Sequence, residues 1–279
     1  MSGIRAILLG TAQDAGVPQA GCTCKRCVLA QEQPALRAPV SCLGLVHEDT
    51  GQAWLIDATP DLPTQLYQLL HKIADSRLVG IVLTHAHIGH YSGLMYLGRE
   101  GMNCRSLPVV ATAAMARFLR QNAPWADLVQ AKHVVLQVMT PGQPLALAPD
   151  LQIRPVTAPH RDEHSDTMAL VIQGSRRSLF YCPDIDFWRQ DVLQVLGRCD
   201  VALVDGTFFR ANELPGRNLQ EIPHPPVQSS VEQLAGLETD IWFVHLNHSN
   251  PLWGNGEERR WLQERGFDVA EVGQMWRLA

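Results

Sequence analysis

Short apolar runs rich in Val, Ile and Leu, many of them closed by Gly, Pro or Asp, recur along the whole chain. They predict strands over residues 4–9, 43–47, 53–56, 78–83, 107–110, 133–138, 151–156, 168–172, 178–181, 201–204 and 241–244. Between them, apolar positions at helical spacing predict helices over 62–73, 112–121, 187–196, 227–234 and 257–264. The first half reads mostly as strands with two or three helices, and the second half repeats that flavour. Two mixed sheets packed face to face, with helices outside, would bury this many apolar strands. No repeat or low-complexity linker divides the chain, so a single α/β (α+β) domain over 1–279 is expected.

Composition narrows the function classes. At 46% hydrophobic residues the 279-residue chain can bury a sizeable core. A net charge of -5 gives no electrostatic case for nucleic acid. The longest apolar stretches are strand-sized, short of the roughly 20 residues a membrane helix needs. The N-terminus runs straight into a strand-like segment without a signal-peptide layout. The expectation is a cytoplasmic protein acting on a small-molecule substrate, with no membrane partner and with room for a homodimer. Of seven cysteines, Cys22, Cys24 and Cys27 fall within six residues. In a reducing compartment such clustering favours metal over disulfide. Cys42, Cys104, Cys182 and Cys199 sit in or near apolar runs and read as small core hydrophobes.

The densest chemistry is Thr84-His85-Ala86-His87-Ile88-Gly89-His90, directly after the run 78–83. Histidines at i, i+2 and i+5 do not share one helix face, so the segment should be a strand-to-helix turn, with the helix continuing over 91–97. Further candidate metal ligands stand where later apolar runs stop: His160, Asp184 and His245. A structural zinc needs four ligands. Cys22, Cys24 and Cys27 supply three, and His248, three residues after His245, is the candidate fourth. Such a zinc would brace the N-terminal loop against the His245 loop. His224 lies between Pro223 and Pro225, which could aim its ring at the site. It joins Asp184 as a candidate catalytic group and Arg161 as a candidate substrate contact. Arg161 suits a phosphate or carboxylate, or equally Asp162 or Asp166. Asp57 and Asp205, each after a strand, are candidates to orient a ligand imidazole.

These residues together resemble the metallo-β-lactamase superfamily. The resemblance implies an αββα four-layer sandwich with one or two metals at one edge. It implies His85, His87 and His160 as first-metal ligands, His90 and His245 as second-metal ligands, and Asp184 as the bridging carboxylate. A narrower likeness lies in the stretch Leu9-Gly10-Thr11-Ala12-Gln13-Asp14-Ala15-Gly16-Val17-Pro18-Gln19 followed by Cys-x-Cys-x-x-Cys. Asp57-Ala58-Thr59-Pro60-Asp61, His160-Arg161-Asp162-Glu163, Asp205-Gly206-Thr207-Phe208-Phe209, Ile222-Pro223-His224-Pro225 and His245-Leu246-Asn247-His248-Ser249-Asn250-Pro251 extend it. These blocks are similar to the pyrroloquinoline quinone biosynthesis protein B branch and span nearly the whole chain. The Cys3His zinc site is also similar to that of cyclic-phosphate phosphodiesterases of phosphonate breakdown.

One position departs from the pattern. The superfamily motif is His-x-His-x-Asp-His, and this chain has Gly89 where the aspartate belongs. With that charge missing, the second metal is expected to be poorly compensated and weakly held. The reading that follows is a hydrolase in which zinc, iron or manganese activates water against an ester, lactone or phosphodiester. The alternative is a non-haem iron oxygenase or hydroxylase of cofactor biosynthesis, built on His90, His245 and Asp184. A non-catalytic, metal-stabilised binding protein is the third reading.

Overall fold

The computed structural model describes residues 3–72, 76–214 and 222–279. Its described residues form fourteen strands in two seven-stranded sheets. The first sheet has β1 (Ile4–Gly10), β2 (Cys42–His47), β3 (Gln52–Ile56), β4 (Arg77–Val82), β5 (Leu107–Ala111), β6 (Val134–Val138) and β14 (Met275–Arg277), in the order β14-β1-β2-β3-β4-β5-β6. The second has β7 (Leu145–Ala148), β8 (Leu151–Thr157), β9 (Met168–Gln173), β10 (Ser178–Cys182), β11 (Val201–Asp205), β12 (Asp240–Val244) and β13 (Asp268–Val269), in the order β13-β12-β11-β10-β9-β8-β7. Each sheet joins an antiparallel meander to a parallel half: β3 to β6 run parallel in one, β10 to β13 in the other.

The apolar runs are consecutive because both faces of most strands are buried. In β1, Ile4, Ala6 and Leu8 point into the layer between the sheets, where they join Leu45, Ile56, Leu170, Tyr181 and Leu203. Ile7 and Leu9 point outward, into the layer covered by α2 (Leu62–Lys72) and α4 (Ala113–Gln121) through Leu66, Leu69, Met115 and Leu119. The outer face of the second sheet is covered by α6 (Gln190–Leu196), α7 (Val227–Leu234) and α8 (Glu257–Gln263), with Phe180, Ala202 and Phe243 beneath Val192, Val231 and Leu262. The order is helix, sheet, sheet, helix.

All eleven expected strands are present, with small shifts at their ends. Strands β7, β13 and β14 escaped pattern reading because they are two to four residues long. So did α1 (Lys25–Glu32) and α5 (Trp125–Gln130), which lack an apolar stripe of useful length. The helix expected over 187–196 starts at Gln190 because Arg189 is extended. The one expected over 62–73 is seen to Lys72, and its last expected residue, Ile73, lies outside the described residues. The helix expected after His90 is only the single turn α3 (Ile88–Tyr91), followed by a 3-10 turn over Ser92–Leu97. Gly93 presses against the backbone of Ala58 and Thr59 there, and its N–H donates to Ala58 O at 2.8 Å.

Direction matters more than count for the site. β1 and β3 are each antiparallel to β2, so they point the same way and end at the same edge as β4. The loops leaving β1, β3, β4, β8, β10, β11 and β12 carry Asp14, Asp57, His85 to His90, His160, Asp184, Thr207 and His245 respectively.

Candidate metal centre

Two donor groups lie side by side at this edge, and Asp205 and His224 form a further set with His245. In the first, His85, His87 and His160 bring one donor atom each within 4.8 Å of one another. His160 Nε2 lies 3.0 Å from His87 Nδ1. In the second, Asp14, His90, Asp184 and His245 do the same. His90 Nε2 is 2.9 Å from Asp184 Oδ2 and 3.0 Å from Asp14 Oδ1, and His245 Nε2 is 3.3 Å from Asp184 Oδ2. Asp184 lies between the groups, with Oδ1 3.7 Å from His160 Nε2 and Oδ2 3.7 Å from His85 Nε2.

The imidazoles are held from behind. Asp57 Oδ2 accepts from His90 Nδ1 at 2.8 Å, and Asp186 Oδ1 from His160 Nδ1 at 2.7 Å. Thr84 Oγ1, itself donating to Asp57, is 2.9 Å from His85 Nδ1. Thr207 Oγ1 is 2.9 Å from His245 Nδ1. Each of these rings therefore presents Nε2 inward. Asp57 and His245 have φ of 70° and 63°, a left-handed conformation costly for residues with a side chain and common where a site imposes it. Asp186, Thr84 and Thr207 were not legible as orienting groups, since nothing in their own segments marks them.

Five inward atoms, His85 Nε2, His90 Nε2, His245 Nε2, Asp14 Oδ1 and Asp184 Oδ2, are buried without a hydrogen-bond partner. Buried polar atoms are nearly always satisfied. Five orphans converging on one place, with imidazole nitrogens and carboxylate oxygens as the donor chemistry, fit a divalent metal centre.

Electrostatics differ across the site. Burial and the neighbouring His90 hold His85 well below the ordinary histidine range, and burial with His160 lowers His87 to about 4. Burial also opposes a charge on His90, but Asp57, Asp184 and Asp14 outweigh it and hold that ring well above its ordinary value. Asp184 and Asp14 stay well below the usual carboxylate range against the opposing effect of burial, because His245 and His90 face both.

A cleft of about 360 Å³ opens over the second group. Asp14, Asp184, His245, His224 and Arg161 line it. His224 Nδ1 lies 2.6 Å from Asp205 Oδ2, whose effect outweighs burial and raises His224 to about 9. Arg161 Nε is buried without a hydrogen-bond partner. Beside the cleft, Cys22, Cys24, Cys27 and His248 form a separate four-donor group. His248 Nδ1 is 3.4 Å from Cys24 Sγ and 3.7 Å from Cys22 Sγ, and Gln19 N–H donates to Cys27 Sγ at 3.3 Å. Burial pushes the Cys27 thiol up to about 12.

Sequence leaves the second group short of one carboxylate, and the structure brings Asp14 beside it, although no carboxylate is present at position 89. Sequence reading placed Asp14 in a resemblance block without a role. One signal was available, because Asp14 is a polar residue just past an apolar strand, as His160, Asp184 and His245 are.

The Beta-lactamase superfamily domain model matches residues 53–245, more than half of the chain. The chain belongs to this superfamily. Over nearly its full length it is also similar to coenzyme PQQ synthesis protein B. It is 26% identical to the Rhizobium meliloti (strain 1021) protein, with 99% of each chain covered. It is 28% identical to the Methylobacterium nodulans protein, covering 99% of this chain and 100% of that one. Among solved structures, Zn(2+)-bound PqqB from Methylobacterium extorquens superposes with a TM-score of 0.85 at 22% identity, over 98% of this chain and 99% of that one. A diphosphatase of the PhnP family superposes with a TM-score of 0.73 at 21% identity, over 99% and 97%. Both share the superfamily's αββα sandwich with this chain.

Proposed function

We propose that the protein is a metal-dependent hydrolase acting on an anionic ester, with a phosphodiester as the best-fitting class. The observation that carries this reading is the convergence of five buried, unpartnered donor atoms from two groups that share Asp184. His85, His87, His160 and Asp184 would hold the first metal, and His90, His245 and Asp184 the second. When bound, the metals supply an acidified water at neutral pH and an electrophilic contact for the developing oxyanion. The zinc in the PqqB relative's structure makes zinc the first ion to try.

The chain's own residues do the rest. Asp184 fixes the spacing of the two donor groups. His224, raised to about 9 by Asp205, is an imidazolium at neutral pH. Its Nδ1–H is committed to Asp205, so Nε2–H is the proton it can give to a leaving oxygen at the cleft. Arg161 adds a second cation to the same cleft. Two cations facing one cavity favour an anionic substrate over a neutral lactone. The Cys22, Cys24, Cys27 and His248 group has the donor set of a closed structural zinc site. The likeness to coenzyme PQQ synthesis protein B supports a competing reading, an iron-dependent oxygenase or hydroxylase of cofactor synthesis at the same edge.

The test is hydrolysis of bis-p-nitrophenyl phosphate and of simple lactones by zinc- or manganese-loaded protein, beside oxygen uptake by protein loaded anaerobically with iron. Phosphodiester turnover abolished by chelation is expected. Oxygen uptake without any ester hydrolysis would replace this reading by the oxygenase one.

A further inference from the structure

We propose that Asp14 is a ligand of the second metal, a carboxylate moved from the start of α3 to the N-terminal loop, and that Gly89 is the space it needs. This rests on the reading of the edge as a metal centre and sharpens it. Asp14 Oδ1 is buried, lacks a hydrogen-bond partner, and lies 3.0 Å from His90 Nε2 and 3.8 Å from His245 Nε2. Those are distances between donor atoms gathered around a common ion.

Gly89 supplies the independent observation. A Cβ placed on it would stand 2.6 Å from Asp14 Cα and 2.9 Å from Asp14 Cβ. Asp14 Oδ1 would be met as well, and although a rotamer change could move that atom, none relieves the clash with the Cα. Gly89 lies in α3 and is not among the residues with positive φ, so its backbone does not call for glycine. What requires glycine is the neighbour. A side chain at 89 and the Asp14 loop compete for one volume beside the second group, and in this chain the loop has it.

The loop is fastened where it must be for a ligand. Thr11 N–H and Ala12 N–H donate to Pro39 O at 3.0 and 2.9 Å, Gln13 N–H donates to Leu246 O at 3.1 Å, and Leu246 N–H donates to Thr11 O at 2.8 Å. The residues just before Asp14 are thus tied directly to the segment that carries His245. A pre-positioned carboxylate loses little freedom on binding. Its charge restores the compensation missing at position 89, so the second metal is held by two histidines and two carboxylates.

The experiment is equilibrium dialysis of the full chain against buffered free zinc, with bound metal counted by mass spectrometry and affinities taken by calorimetry. Wild type is expected to hold zinc at the cysteine group and at both edge groups. Asp14→Ala should weaken one edge zinc by at least about 100-fold, at or beyond the top of the range for losing a mere orienting partner, and leave the others unchanged. Gly89→Ala removes no donor atom, yet should weaken the same zinc, because the methyl displaces the loop. If Asp14→Ala does not fold, the isosteric Asp14→Asn and Gly89→Ala carry the test. Wild-type affinity for every zinc in these variants would overturn the proposal. A wild type with no zinc beyond the cysteine group would instead overturn the metal-centre reading itself.

Discussion

The two donor groups that share Asp184 prepare for a metal in opposite ways. Apart from that shared carboxylate, the first is all imidazole. His85 and His87 are pushed down, to about 4 for His87, so at neutral pH they offer free lone pairs. The second mixes His90 and His245 with Asp14 and Asp184, and the carboxylates hold a proton on His90. One group avoids charge until a cation arrives. The other already pairs its carboxylates with that proton, which a metal must displace. Clustered histidines disfavour protonation of one another, whereas carboxylates placed among them invite it.

The largest effect should come from the residue the groups share. Asp184→Asn removes a charge from both at once, and phosphodiester turnover should fall by roughly 1000-fold or more. His87→Ala should instead cost the first edge metal and activity while retaining zinc at the cysteine group. Equal losses of both edge metals in His87→Ala would break the distinction between the groups. Cys24→Ser is expected to lose the zinc of the cysteine group together with thermal stability, read by metal analysis and by the unfolding midpoint.

Proton accounting sharpens the same comparison. For the second group, the His90 proton competes with metal below that ring's raised pKa. Affinity there should climb as pH rises through that value and then level off. For the first group, His85 and His87 are held below the ordinary histidine range, so those two rings carry no proton to displace at neutral pH and add no pH dependence there. Calorimetric titration in buffers of different ionisation enthalpy should show more protons released for the second edge metal than for the first. The reverse assignment would show that the carboxylates do not hold the His90 proton.

The fold was legible in large part because its strands are buried on both faces. Runs such as those that became β1, β4 and β12 stay apolar at consecutive positions, and few other structures tolerate that. The histidines were legible because local spacing marks them: three sit in one turn, and His160 and His245 end apolar runs. Asp14 and Gly89 were not, because their meaning lies in a contact across 75 positions of sequence that only the shared direction of β1 and β4 creates. An absent carboxylate and a misplaced one look the same along the chain. Asp186 was obscure for a similar reason, reaching His160 from the next loop across the sheet edge.

The smallest expected effect compares the groups through the residues behind them. Asp57 is fully buried and accepts from His90 Nδ1, Thr84 N–H and Thr84 Oγ1. Asp186 accepts from His160 alone among the bonds seen here, and its side chain is 20% exposed. An orienting partner typically accounts for roughly 10–100-fold in metal affinity. Asp57→Asn should sit near the upper end for the second metal, since it disturbs the buried acceptor shared by His90 Nδ1 and Thr84. Asp186→Asn should sit near the lower end for the first, because water can replace one partly exposed acceptor. Zinc affinities of the two variants, measured side by side, decide this. If Asp186→Asn proves the more damaging, the first group depends on anionic support as the second does, and the contrast drawn from their protonation no longer holds.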